Sequence, residues 1–421
     1  MTMPTPAETG CPVVAENAVP LSGPRFHTDP VGLYEEMRRD HGPVVPVRLP
    51  GGFPAWLVIG YRELHQVSSD PDLFPRDVGL WNQWPNIPAD WPLLPMIGQR
   101  MPSVYFTVGE EHRRHAGMVS EALASVDSFE LRRHAEQLAD GLIDDFCGRG
   151  EADLVADFAA PLPVLVLARI IGFPDAQGRQ LGYVLNELAD GGPGAQQAYA
   201  SYTDHMQRLV KTKRAHPGAD VASRLLADPA RHSDEEVVLD LKDTTAAGFL
   251  TTADWIGNSI RLMLTDDRFA AGFGGGRHSV AQAMNEVLWE DTPTQILAGR
   301  WAARDTTLAG RPVRAGDMLL LGLAGANADP EIHQHLLTGA QTGNSAHFSF
   351  GYGEYRCPFP AQEIAEITAR TGIEVLLDRL PDLDLTISAR TLVRRPSPFL
   401  RGMTALPVRF TAVRPVGGQL L

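Results

Sequence analysis

The sequence predicts a mainly α protein with a small, split β component, built as a single large domain. Three observations lead there. Helical periodicity dominates residues 109 to 260, β-branched runs occur only as short pieces, and no Ser/Gly linker, low-complexity tract or internal repeat divides the 421 residues. A hydrophobic share of 44% with 21% charged residues is that of a folded chain with a sizeable core.

Residues 1–20, rich in Pro, Ala and small polar groups, read as a loosely ordered lead-in to a folded unit over 21–421. The runs "VVPVRL" and "AWLVIG" flank "PGGFP" and predict a hairpin near residues 44–60. Residues 75–100 hold Trp81, Trp84 and Trp91 among many prolines, so they read as a long irregular loop. Helices are expected in "GEEHRRHAGMVSEAL", "SFELRRHAEQLADGLIDDFC" and "APLPVLVLARIIG". The longest is expected in "DEEVVLDLKDTTAAGFLTTADWIGNSIRLML", with another in "VAQAMNEVLWE". Short strands and turns follow in "RDTTLAGRPVRAGDMLLLGLAGANAD", and "AQEIAEITARTGIEVLL" is again helical.

The net charge of −14 and the lack of any basic run exclude nucleic acid as a partner. No stretch of 18 apolar residues occurs and the start lacks a signal-peptide pattern, so a cytoplasmic chain away from membranes is expected. Cys11, Cys147 and Cys357 are odd in number and far apart, which argues against a disulfide framework or a four-cysteine zinc site. Cys147 reads as a small buried hydrophobe, and Cys11 carries no role. The histidine pairs of "HRRH" (112–115) and "HQH" (333–335) are too few for zinc and read as surface groups. "GFGGG" (272–276) lacks the Gly-Lys-Ser/Thr ending of a phosphate loop.

Cys357 differs from the other two. It follows the tight turn "FGYG" and precedes a strong helix pattern, so a helix N-terminus and Arg356 are expected to favour its thiolate. Such a thiolate is a nucleophile or a metal ligand.

"FGYGEYRC" (350–357) resembles the haem-ligand loop of the cytochromes P450, Phe-Gly-x-Gly-x-His/Arg-x-Cys, with Phe350, Gly351, Gly353 and Cys357 matching. "AAGFLTT" (246–252) is similar to the family's oxygen-binding pattern, with Gly248, Thr251 and Thr252 in place and Thr244 two turns before Thr251. Helical spacing places Thr244, Gly248 and Thr251 on one face. A glycine lets a flat cofactor approach, and a threonine hydroxyl can hydrogen-bond dioxygen. The resemblance extends to Glu286, which opens the Glu-x-x-Arg helix, and to "AGANADP" (324–330). It implies the P450 fold, haem b with Cys357 as metal ligand, and Thr251, Gly248, Thr252 and Thr244 as catalytic residues. It also implies His112, Arg300, Tyr355, His347, Phe350 and Gly351 as cofactor-binding residues.

Departures from the pattern are specific. Leu250 stands where an acid is expected before Thr251, so a carboxylate that helps relay protons is missing. Trp289 replaces the arginine of Glu-x-x-Arg, and no Arg or Lys lies between Arg314 and Arg356. Glu286 is therefore expected to be solvated or bonded to His333, His335, the Trp289 N–H or backbone. Tyr355 replaces His/Arg, Phe359 replaces a glycine, and Ala116 an arginine.

By resemblance the activity is monooxygenation, one atom of dioxygen entering a small apolar substrate, with electrons from a separate ferredoxin and ferredoxin reductase and the chain a monomer. Arg113, Arg114 and Arg356 are expected to form a small basic docking patch. Two alternatives stand beside it: a peroxide-driven peroxidase or peroxygenase, and a haem-binding interaction protein with little turnover. The tryptophans of 75–100 admit an aromatic ligand or packing among themselves.

Overall fold

The computed structural model describes residues 18–98, 100–190, 194–228, 233–266, 277–332 and 344–417. Cys11, His333, His335 and the 272–276 glycines lie outside them. Eleven helices of seven residues or more are described. They are α1 (Pro30–His41), α2 (Tyr61–Ser69), α3 (Gly109–Ala124), α4 (Ser128–Asp144), α5 (Pro161–Ile171), α6 (Asp175–Asp190), α7 (Ala195–Ala215), α8 (Val221–Ala227), α9 (Asp234–Thr265), α10 (Arg277–Glu290) and α11 (Phe359–Arg379).

The strands are β1 (Val19–Pro20), β2 (Val44–Arg48), β3 (Pro54–Val58), β4 (Glu151–Asp153), β5 (Leu297–Trp301), β6 (Thr306–Leu308), β7 (Arg311–Val313), β8 (Met318–Leu321), β9 (Asp384–Leu385) and β10 (Pro407–Arg409). They form a five-stranded sheet in the order β1-β2-β3-β8-β5, a three-stranded sheet β4-β10-β9 and the hairpin β6-β7. The expected 44–60 hairpin is β2 and β3, with Val45 opposite Leu57. The lead-in boundary needs correction: Val19 and Pro20 pair with Val47 and Arg48 in parallel. Ala18 and Leu21, both buried, hold that strand down.

α9 runs through the largest core. From Thr252 to Ile260 it is buried all round, and with Phe249 this stretch lets α5, α7, α10 and α11 pack on it. A capping box starts it: Ser233 Oγ accepts from Glu236 N, and Glu236 Oε2 accepts from Ser233 N at 2.7 Å. Cys147 lies fully buried in the same core, as expected of a small hydrophobe, although it sits in the turns just past α4 and not on the helix.

The 75–100 segment is irregular apart from short turns at Val78–Leu80 and Trp84–Asn86 and one helical turn at Leu94–Ile97. Its tryptophans pack on one another: Trp81 lies 5.5 Å from Trp91, 6.4 Å from Trp84 and 6.5 Å from Trp301 of β5. Of the two readings of this loop, mutual packing is the one realised. Among the described residues no helix is long and apolar enough to cross a membrane.

Candidate functional site

The loop before α11 is a closed knot of backbone bonds. Gly351 N donates to Phe348 O at 2.7 Å and Cys357 N to Phe350 O at 2.8 Å. Both glycines sit at positive φ, 72° for Gly351 and 76° for Gly353. Gly353 also presses on the backbone carbonyl of Ser68 in α2, where a Cβ has no room. Gly353→Ala is therefore expected to destabilise the fold by at least ~1–2 kcal/mol, from left-handed backbone strain alone, read as a lower denaturation midpoint in urea.

α11 begins at Phe359 after Pro358, and Gln362 Nε2 donates to Cys357 O at 2.7 Å. The expected thiolate is not favoured by these surroundings. Burial pushes the Cys357 thiol up to about 12, and Arg356 lies over the Phe359 ring at 4.3 Å. Only a bound cation on the sulfur would hold it deprotonated.

One end of the site is cationic. Arg300 reaches it because β5 carries a bulge between Leu297 and Arg300, with Gly299 at φ 96°. Its guanidinium is buried, 4.1 Å from the centre of the Tyr355 ring, and Nε and Nη1 have no hydrogen-bond partner among the described residues. Burial, helped by the charge of Arg76, pushes its pKa down to about 9. Arg76 lies 3.7 Å over Tyr105 and 5.8 Å from the Tyr355 ring. No motif marks Arg76 in the sequence; only folding of the 75–100 loop brings it here. Tyr355 is itself sandwiched, with the His112 ring 4.5 Å away. His112 is buried, its Nδ1 3.0 Å from Val104 O and its Nε2 3.4 Å from Glu354 O, and burial lowers its pKa.

The long helix carries Thr244, Gly248, Thr251 and Thr252. Thr244, Gly248 and Thr252 line a small cavity with Leu123, Leu167 of α5 and Ala361 and Ala365 of α11. Thr251 lies about 100° round the helix from Thr252, half-buried, its hydroxyl donating to Ala247 O at 2.6 Å. Next to it Ala246 and Ala247 are exposed in the middle of the helix, which marks an open face along Asp243, Ala247, Leu250 and Thr251. Round the helix Thr244 stands about 20° and Gly248 about 60° from Thr251, so the three point to one side, with Thr252 at its margin.

A neutral scaffold occupies the place of the missing arginines. Trp289 is buried and donates through Nε1 to Asn344 O at 2.9 Å, so its N–H does not serve Glu286, which is half-buried and has an interaction of its own. Asn327 Nδ2 donates to Leu288 O at 2.9 Å, and its Oδ1 accepts from Phe348 N at 2.8 Å. Ser349 Oγ adds a second donor to Leu288 O. His347 packs against Trp289 at 5.7 Å and Phe350 at 5.9 Å, with burial pushing its pKa to about 4. Phe350 meets Trp255 of α9 at 5.8 Å, and Trp255 Nε1 donates to Met284 O of α10. The cysteine loop is thereby tied to both helices.

Two further expectations change. Arg113 pairs with Glu354 at 3.3 Å and Arg114 with Glu236 at 2.9 Å, so the basic patch is largely neutralised. His112 and His115 are buried rather than on the surface; His115 Nδ1 lies 2.7 Å from Asp240 Oδ2. Glu111, His115 and Glu236 converge, but both carboxylate oxygens of Glu236 are engaged, by Arg114 and by the α9 cap.

No family model matches the chain. Curated relatives do. The cytochrome P450 monooxygenase PikC of Streptomyces venezuelae is 28% identical, covering 94% of each chain. The polyketide biosynthesis cytochrome P450 PksS of Bacillus subtilis is 26% identical over 92% of this chain and 97% of its own. Among solved structures, CYP154C4 of Streptomyces sp. ATCC 11861 superposes with a TM-score of 0.83 at 26% identity, over 95% of this chain and 99% of its own. CYP154A1 of Streptomyces coelicolor A3(2) gives 0.81 at 26%, over 93% and 100%. Fold, relatives and solved structures agree: this chain, an oxidoreductase of the monooxygenase kind with haem b as its cofactor, belongs to the cytochrome P450 family.

Proposed function

We propose that Cys357 is the axial ligand of the haem iron and that the protein inserts one oxygen atom from dioxygen into a small apolar organic molecule, with electrons from a separate ferredoxin and its reductase. The observation that carries the reading is Arg300: a buried guanidinium with two unpartnered nitrogens calls for an anion, and a haem propionate beside Tyr355 and Arg76 supplies one. The donor set fits haem at its other end as well, where the Cys357 thiol meets a soft cation. Held by Cys357 and Arg300, haem would supply the oxygen-activating chemistry, which a thiolate ligand promotes.

The chain's own groups do the rest. Exposed Ala246 and Ala247 leave room beside α9, and the Thr251 hydroxyl stands there as a hydrogen-bond donor whose proton can be shared. His112, Tyr355 and Arg300 fix the propionate end. On the outer side of the cysteine loop, exposed Tyr352 and Phe359 beside Arg356 offer an apolar surface with one cation for a small electron carrier.

The expected result is that the purified protein, reduced with dithionite under carbon monoxide, shows the red-shifted Soret band of thiolate-ligated haem. A band at the position of imidazole-ligated haem, or none, would overturn the assignment of Cys357. Leu250 favours a second reading, peroxide-driven oxygenation, since peroxide brings its own oxygen and protons. Product formed with peroxide alone, and none with ferredoxin, reductase and dioxygen, decides for it.

A further inference from the structure

Asp254 stands one helical turn beyond Leu250, on the stripe of α9 that runs through Asp243, Ala247, Leu250 and Asp254 at spacings of four, three and four. Its side chain is only 4% exposed, Oδ1 accepting from Arg395 Nη2 at 3.3 Å and Oδ2 having no partner among the described residues. Gly402 makes the room, since a Cβ there would collide with the carboxyl. Leu250 and Asp254 line one hollow of about 20 Å³, together with Phe249, Ala253, Arg395, Met403 and the exposed Asn186. That volume accepts one water molecule, which needs roughly 10–15 Å³ and two or more polar partners. Asp254 Oδ2 and the unpartnered Nε–H of Arg395 are such partners.

We propose that Asp254 is the proton-relay carboxyl of this enzyme, standing in for the acid that Leu250 has displaced and paired with Arg395 as its positioning residue. The inference rests on the monooxygenase reading. In the relay, Asp254 passes its proton to water on the open face that carries the Thr251 hydroxyl. It then regains a proton from the water in the hollow, which refills from the surface at Asn186, so the carboxyl is unchanged over a cycle and no electrons move. Burial pushes the Asp254 pKa up to about 6, into the range where a carboxyl gives and takes protons near neutrality. The charged groups around it are Arg395, which favours ionisation, and Asp291, which opposes it and is itself held by Arg261, Arg394 and Arg401. A merely structural ion pair would instead clamp residues 394–403 to α9.

The test uses the haem-loaded protein with ferredoxin, reductase and a turned-over substrate, and compares wild type, Asp254→Asn and Asp254→Asn/Leu250→Glu. Expected are a loss of product per electron pair of about 10-fold or more in Asp254→Asn, a larger solvent isotope effect, and recovery when Leu250→Glu returns an acid one turn earlier. Infrared difference spectra of the protein without haem provide the independent reading: burial raises both Asp254 and Asp243 to about 6, so two carboxylic C=O contributions titrate there in wild type, and Asp254→Asn is expected to remove one of them while Asp243→Asn leaves that one in place. Unchanged coupling and isotope effect in Asp254→Asn, with only a lower melting temperature, overturns the relay alone and leaves the clamp. A haem-loaded wild type that oxidises no member of a panel of apolar compounds with ferredoxin, reductase and dioxygen overturns the relay and the monooxygenase reading together.

Discussion

Cys357→Ala is expected to leave a folded protein with no thiolate-type carbon monoxide spectrum and with turnover reduced more than about 1,000-fold, which is ~4 kcal/mol in barrier height. The fold should survive because the loop is closed by main-chain bonds. Gly351 N to Phe348 O and Cys357 N to Phe350 O do not involve the sulfur, and Gln362 holds the Cys357 carbonyl. Unfolding midpoints of wild type and variant, measured without haem, should agree closely. Turnover by Cys357→Ala at wild-type rate would remove the sulfur from the site.

Arg300→Met is expected to act with opposite signs on the two forms of the protein. Without haem, Arg300 is a buried charge with no ion pair among the described residues, its Nε and Nη1 unpartnered there, so an apolar side chain of similar length should raise stability by about 1–4 kcal/mol. With haem, the lost charge-assisted hydrogen bond should weaken retention by roughly 10- to 100-fold, ~1.5–3 kcal/mol. Urea unfolding of the unloaded protein gives the first, and transfer of haem to an apoglobin acceptor the second. Equal haem retention in both would place the propionate elsewhere.

How far the sequence reveals this molecule depends on what kind of constraint each residue obeys. α3, α4, α5, α9, α10 and α11 were legible because apolar periodicity over ten or more residues has few alternatives. The cysteine loop was legible for a related reason: its glycines occupy backbone positions that Leu or Ala cannot take without strain, so their spacing records a shape. The open stretch of α9 at Ala246 and Ala247 was not legible, since spacing within a helix does not say which turn its neighbours leave uncovered. Arg76 and Asp254 gave no local signal at all. Each matters through partners more than a hundred residues away, Tyr355 and Arg395, and such pairings are written in three dimensions only. For Cys357 the sequence shows the helix N-terminus that favours a thiolate but not the burial that opposes it in the chain alone.

The scaffold beneath the cysteine loop is made of an amide, a hydroxyl and an indole: Asn327, Ser349 and Trp289, all bonded to backbone groups. None of the three gains or loses a proton between acid and alkali, and none attracts counter-ions from solution. Where arginines and a carboxylate would make the loop's geometry answer to ionic strength and acidity, these contacts leave it indifferent to both. These three contacts therefore hold the loop in the same shape whatever the salt or acidity around it.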